Sequence, residues 1–149
     1  MFKTGDAAPS FELVSDTEEP VRLNDLKGKR VIVYFNPKAD TPGCTKQACA
    51  IQDIGPQTED AGVTVIGISP DLPEKLAKFQ AKYDLGFILA SDPDHEVAEA
   101  YGAWGQKSMY EKKYMGIIRS HAAIDEDGKI VAIKNKVKPL EIAEVWELW

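Results

Sequence analysis

The sequence predicts an α/β fold with a mixed central sheet flanked by helices and an N-terminal β-hairpin. Three observations carry this expectation. "RVIVYF" (Arg30–Phe35) and "VTVIGIS" (Val63–Ser69) are continuous runs of β-branched and apolar residues, the signature of strands buried on both faces of a parallel sheet. Segments with helical periodicity follow each run, as parallel crossovers require. Near the end, "AAID" and "KIVAIKNKV" flank "EDG", whose Asp-Gly favours a hairpin turn and therefore antiparallel strands.

Each element has its own local reason. "FEL" and "VRL", on either side of "SDTEEP", suggest the first hairpin. A helix is expected from about Pro42 past Cys49, with Gly55-Pro56 stopping or kinking it. "DLPEKLAKFQAKYDLG" predicts a second helix. There Asp71 is the expected cap, Pro73 suits the first turn, and Leu76, Phe79, Gln80 and Tyr83 share a face. "FILASD" fits a short strand or an extended loop, and "DHEVAEAYG" a short helix ended by Gly102. The tail "PLEIAEVWELW" has an amphipathic pattern with Ile142, Trp146 and Trp149 on one stripe. Parallel strands first and an antiparallel hairpin last give a thioredoxin-like layout.

Length and charge narrow the function. The 149 residues form one expected domain, 1–149, large enough to bury a core. The net charge of -6 argues against nucleic acid and against an anionic membrane surface as main partners. No segment approaches the roughly 20 apolar residues of a membrane span, and the N-terminus lacks a signal-like apolar core. A cytoplasmic protein is the expectation. The chain has two cysteines, too few for the multi-bridge framework of a small secreted domain; in the cytosol their pairing would be transient and catalytic.

Both cysteines lie in "TPGCTKQAC" (Thr41–Cys49). Cys44 sits where a strand gives way to a helix, a place with free backbone N–H groups and partial positive charge. Both favour the thiolate, the nucleophilic form, over the thiol that predominates near neutrality in a free cysteine of pKa ~8.5. Thr41 places a hydroxyl near the sulfur or its target. Cys49 is five residues on, a rise of about 7.5 Å and a rotation of about 140° in a straight helix. A disulfide needs Cα atoms within roughly 7 Å and converging Cβ vectors. Either the thiols are unrelated, or the helix unwinds when they meet. Two packed, inert thiols are one alternative, weakened by a turn rich in Thr, Pro and Gly. Zinc needs about four ligands, and besides the two cysteines the chain offers only His95 and His121. The C-x-x-C of a dithiol oxidoreductase is absent.

"NPKADTPGCTKQAC" resembles the active-site stretch of peroxiredoxins, P-x-x-x-T-x-x-C, and its C-x4-C pair resembles the bacterioferritin-comigratory-protein, or peroxiredoxin Q, branch. "GDAAPSFEL", "GISPD", "YGAWGQKSMYEKKYMGIIRS" and "DEDGKI" extend the likeness over nearly the whole chain. The resemblance implies a thioredoxin-fold thiol peroxidase that reduces hydrogen peroxide and organic hydroperoxides, recycled by thioredoxin or a similar dithiol. It implies no metal and no organic cofactor, and a monomer or weak homodimer is expected. By the same resemblance Cys44 is the peroxidatic cysteine and Cys49 the resolving one. Thr41, Pro37 and Arg119 complete the catalytic set. Without the resemblance Arg119 would read as a solvated basic residue, and Pro37 as a strand terminator.

Three departures stand out. Gln47 replaces a glutamate of many relatives, which removes an anion near the sulfur and is expected to loosen Arg119. "SHAAID" puts His121, Ala122 and Ala123 where relatives carry bulkier residues, so looser packing or a neighbour filling the space is expected. Gly55-Pro56 interrupts a helix that relatives often continue. His121 reads as a partly exposed strand histidine rather than a general base. Tyr101 and Trp104 fit either a pocket lining or ordinary packing. The competing class is a non-enzymatic redox sensor or holdase switched by a Cys44–Cys49 disulfide.

Overall fold

The computed structural model describes residues 5–39, 41–109, 112–138 and 140–141. The first hairpin is β1 (Glu12–Ser15) and β2 (Pro20–Arg22), followed by a 3-10 turn at Leu23–Leu26. Then come β3 (Arg30–Phe35), α1 (Pro42–Asp53), α2 (Gly55–Asp60), β4 (Val63–Ser69), α3 (Pro73–Tyr83), β5 (Ile88–Ser91) and α4 (Glu96–Ala100). The chain continues through β6 (Trp104–Met109), β7 (Lys112–Ile117), β8 (Ser120–Ile124) and β9 (Ile130–Lys134).

One seven-stranded sheet has the order β2-β1-β5-β4-β3-β8-β9, and β6-β7 form a separate two-stranded sheet. Strand β3 pairs parallel with β4 and antiparallel with β8. After Arg30 its residues, Val31 to Phe35, are apolar or aromatic and buried because both faces are covered. Val31, Val33 and Phe35 pack into a cluster with Ala98, Tyr101 and Ile124. Ile32 and Tyr34 point the other way, onto Ala50 and Ile51 of α1. The alternation of side chains along a strand serves two cores at once.

Close packing at one point depends on a glycine. Gly67 of β4 lies opposite Tyr34 in the parallel register. A Cβ on Gly67 would meet the Tyr34 ring 2.5 Å away, so the ring lies across the space a side chain would take. Phe87 closes it from the edge, with ring centroids 6.0 Å apart.

Several expectations need correction. The sequence reading assigned no strands to 104–117, whereas β6 and β7 form an antiparallel ladder there. Asp71 is not the cap of α3; Leu72 occupies that position and no side chain caps the helix. Asp71 turns instead toward the loop before α1, as described below. His121 is buried, at 5 % exposure, because β8 lies inside the sheet between β3 and β9. Ala122 and Ala123 are fully buried beside it. As expected, Gly55-Pro56 marks the end of α1, whose cap is Ile54, and α2 starts afresh at Gly55. The amphipathic tail with Ile142, Trp146 and Trp149 lies outside the described residues.

Candidate active site

The site forms where β3 hands over to α1. Pro42 opens the helix at a position that needs no N–H donor. Cys44 falls in the first turn, with no exposed surface. Cys49 is partly exposed, and both cysteines are free thiols. With α1 continuous from Pro42 to Asp53, the helix holds the two thiols on different faces, as their spacing predicts.

Arg119 arrives from the connection between β7 and β8. Its Nη2 donates to Cys44 Sγ at 3.2 Å, and its Nη1 donates to Gln47 Oε1 at 2.6 Å. Cys44 and Gln47 are three residues apart, so they share one helix face. One planar fork therefore meets both. The neutral amide of Gln47 takes one prong of the Arg119 fork, at the position where many relatives carry glutamate. Gln47 is itself fully buried, and its Nε2 has no hydrogen-bond partner among the described residues. The backbone of Arg119 is fixed as well: its carbonyl accepts from Val137 N–H at 2.9 Å.

Thr41 is the N-cap residue of α1, but its hydroxyl does not cap the helix. It donates to Lys38 O at 2.8 Å, which leaves its lone pairs free to accept a hydrogen bond. Pro37 lines a cavity of about 470 Å³ together with Lys107, Ile118, Arg119 and Val137. The structure thus brings Cys44 and Arg119 into contact and sets Pro37 on a cavity with Arg119. It keeps Cys49 apart from Cys44.

Sequence reasoning missed two neighbours of this centre. Lys107, on β6, has its pKa lowered, first by burial and then by the charge of Arg119, with Cys44 acting in the opposite direction. Its stem packs against Gly116, where a Cβ would come within 3.2 Å. Tyr34 is fully buried, and its hydroxyl has no hydrogen-bond partner among the described residues. Burial chiefly, and then the nearby Cys44, push its pKa up. The signal for Lys107 was hidden in a polar hairpin; that for Tyr34 was indistinguishable from core packing. Tyr101 is a packing residue: it is fully buried against Phe11 and Phe35, and its hydroxyl donates to Pro9 O at 2.7 Å. Trp104 stacks on His95, with centroids 3.7 Å apart. Among the described residues no group of three or more His, Cys, Asp or Glu side chains is placed to hold a metal ion, and no helix is long and apolar enough to cross a membrane.

Comparison with known proteins gives the same picture throughout. The profile of the AhpC/TSA family matches residues 4–133. The Escherichia coli K12 protein named peroxiredoxin Bcp is 53% identical over 137 residues, which are 92% of this chain and 88% of that protein. Among solved structures, the peroxidoxin BcpB of Mycobacterium tuberculosis matches with a TM-score of 0.85 and 32% identity, covering 98% of this chain and 94% of that one. A cysteine-to-serine mutant of PrxQ from Xylella fastidiosa matches with a TM-score of 0.91 and 29% identity, covering 99% and 94%. The bacterioferritin comigratory protein of Xanthomonas campestris, solved in trapped intermediate and ligand complexes, matches with a TM-score of 0.83 and 29% identity, covering 92% and 85%. The thioredoxin-like architecture, the wound helix carrying Cys44, and these relatives agree: this chain belongs to the AhpC/TSA family of peroxiredoxins, in its bacterioferritin-comigratory-protein or peroxiredoxin Q branch.

Proposed function

We propose that this peroxiredoxin is a two-cysteine thiol peroxidase in which Cys44 attacks the hydroperoxide and Cys49 resolves the product. The observation that supports this most is the Arg119 guanidinium donating to a fully buried Cys44 sulfur in the first turn of α1. The guanidinium and the start of α1 both place positive charge beside the sulfur, where negative charge develops in the reaction.

In the first step the Cys44 thiolate attacks the distal oxygen of the hydroperoxide. The O–O bond breaks, and its electron pair goes to the leaving oxygen, which takes up a proton and departs as water or an alcohol. Sulfur is oxidised to a sulfenic acid. Charge grows on the leaving oxygen, and the fixed donors of Arg119 and the helix start stabilise it. Thr41 accepts a hydrogen bond from the peroxide, since its own proton is committed to Lys38 O. In the second step the first turns of α1 unwind and Cys49 sulfur attacks Cys44 sulfur. The disulfide forms and the sulfenic hydroxyl leaves as water. An external dithiol, thioredoxin or a similar protein, then reduces the disulfide and becomes oxidised itself. Hydrogen peroxide and organic hydroperoxides are the substrates, the protein works as a monomer or weak homodimer, and the cytoplasm is its compartment.

The test is peroxide consumption coupled to a thioredoxin system, comparing wild type with Cys44→Ser. Catalytic turnover in the wild type and none in the variant is the expected result. Consumption of about one equivalent without turnover would favour the redox-sensor alternative. Full activity in Cys44→Ser would remove Cys44 from the reaction.

A further inference from the structure

The loop that leads from β3 into α1 is tied down by a carboxylate outside the site. Asp71 lies between β4 and α3, and its side chain is only 9% exposed. Its Oδ2 accepts from Ala39 N–H at 2.6 Å and from Ser69 Oγ at 2.9 Å, and Lys75 Nζ stands 3.4 Å from Oδ1. The Asp71 backbone is also held: its carbonyl accepts from Ser91 Oγ at 2.6 Å, and its N–H lies 3.4 Å from Ser69 Oγ. A carboxylate this far from water is costly unless donors surround it. Two of the three donors to its side chain come from its own neighbourhood; the third comes from a residue 32 positions earlier.

That third donor matters because of where Ala39 sits. It lies two residues before Thr41, between Pro37 and the start of α1. Its methyl is buried in a cluster with Ala48 of α1 and with Leu76 and Phe79 of α3. The loop's other described hydrogen bonds are of a different kind. Asn36 N–H to Ile68 O extends the sheet ladder, and Thr41 Oγ1 to Lys38 O stays inside the loop. Among the described residues, Asp71 is therefore the side chain from outside the loop that hydrogen-bonds its backbone.

We infer that Asp71 is a positioning residue, a latch that holds the β3–α1 loop and the first turn of α1 in the wound form, where Cys44 faces Arg119. The inference rests on the reading of Cys44 and Cys49 given above. Unwinding of α1 draws Ala48 away from Ala39, so the loop must follow, and the Ala39–Asp71 bond resists this movement. A charge-assisted bond of this length is stronger than a neutral one. Weakening it shifts the balance between wound and unwound forms by about tenfold.

The experiment separates the two chemical steps. Wild type and Asp71→Asn are mixed rapidly with one equivalent of hydrogen peroxide, and Cys44 oxidation and Cys44–Cys49 disulfide formation are followed as separate phases. In Asp71→Asn the peroxide step is expected to slow, while disulfide formation speeds up by about tenfold. Overoxidation of Cys44 in excess peroxide is expected to fall. General loss of stability does not move the two steps in opposite directions. If both rates stay within about twofold of wild type, or fall together, the latch is refuted. If the wild type oxidises Cys44 yet never forms the disulfide, the resolution reading fails first, and the latch with it. A second measurement needs no variant. The Ala39 amide should be protected from exchange in the reduced protein and exposed in the disulfide form, and equal protection in both states would overturn the proposal.

Discussion

Replacing Arg119 by lysine keeps the charge and removes the fork. In the native site one nitrogen reaches Cys44 Sγ at 3.2 Å and the other Gln47 Oε1 at 2.6 Å. An ammonium is a single, strongly hydrated centre on a flexible stem, without the rigid two-pronged geometry that spans both partners. If it stays with Gln47, the developing charge on the leaving oxygen loses a fixed donor. Loss of one such donor slows a reaction by on the order of 10²–10³-fold, about 2.7–4 kcal/mol. If it stays with Cys44 instead, Gln47 is left buried with neither end of its amide paired, since Nε2 already lacks a partner among the described residues. An unpaired buried acceptor costs about 1–3 kcal/mol of stability. Arg119→Lys should therefore slow the peroxide step by about a hundredfold or lower folding stability by about 1–3 kcal/mol. A mixture of both outcomes is expected. Stopped-flow single-turnover kinetics with stoichiometric peroxide measure the first, and urea unfolding the second. A folded variant within about threefold of the wild-type rate and with unchanged stability would refute the reasoning and take Arg119 out of the site.

Three further outcomes follow from the same geometry. Cys49→Ser should consume about one equivalent of peroxide rapidly and then stall, with a sulfenic acid trapped at Cys44 by a dimedone-type reagent; steady turnover in that variant, with thioredoxin as reductant, would dismiss Cys49 as the resolving residue. Gly67→Ala drives a methyl into the Tyr34 ring and should cost about 1–3 kcal/mol or more by overpacking, read as a lower denaturation midpoint; wild-type stability would show that the ring has room to move. His121 has its pKa lowered from 6.5, chiefly by burial and then by Lys134, with Glu141 opposing. The unfolded chain then binds the proton more readily than the folded one, so stability should fall as pH drops below about 6.5 and level off below the folded-state pKa. His121→Phe should flatten that part of a melting-temperature profile, and an unchanged slope would assign the acid sensitivity to other groups.

What the sequence disclosed depended on how local the information was. The runs at Arg30–Phe35 and Val63–Ser69 are legible because strands buried on both faces need apolar residues throughout. The Gly55-Pro56 break and the Asp127-Gly128 turn are legible because backbone chemistry acts over a few residues. The helix start at Pro42 and the separation of Cys44 from Cys49 follow from helix geometry alone. Arg119 is different. It meets Cys44 across 75 positions of sequence, and no local pattern distinguishes it from a solvated arginine; only the family resemblance singled it out. Asp71 was misread because an aspartate just before a proline-led helix fits a cap, whereas a distant N–H competed for the same carboxylate. The hairpin at 104–117 was overlooked because its strands carry glycine and lysine and belong to a two-stranded sheet separate from the main one. His121 read as partly exposed because histidine is polar, while the strand pairings place it inside the sheet.

The central claim is that a wound helix keeps the two thiols apart and has to open before they join. Amide exchange across Thr41–Ile54, measured in the reduced protein and again after one equivalent of peroxide, addresses it most directly. The account predicts protection along α1 in the reduced state, where Thr45 N–H donates to Thr41 O at 2.8 Å, and loss of protection over the segment from Cys44 to Cys49 in the disulfide form. Equal and strong protection in both states would contradict it, because the disulfide would then form without unwinding or not between these two residues.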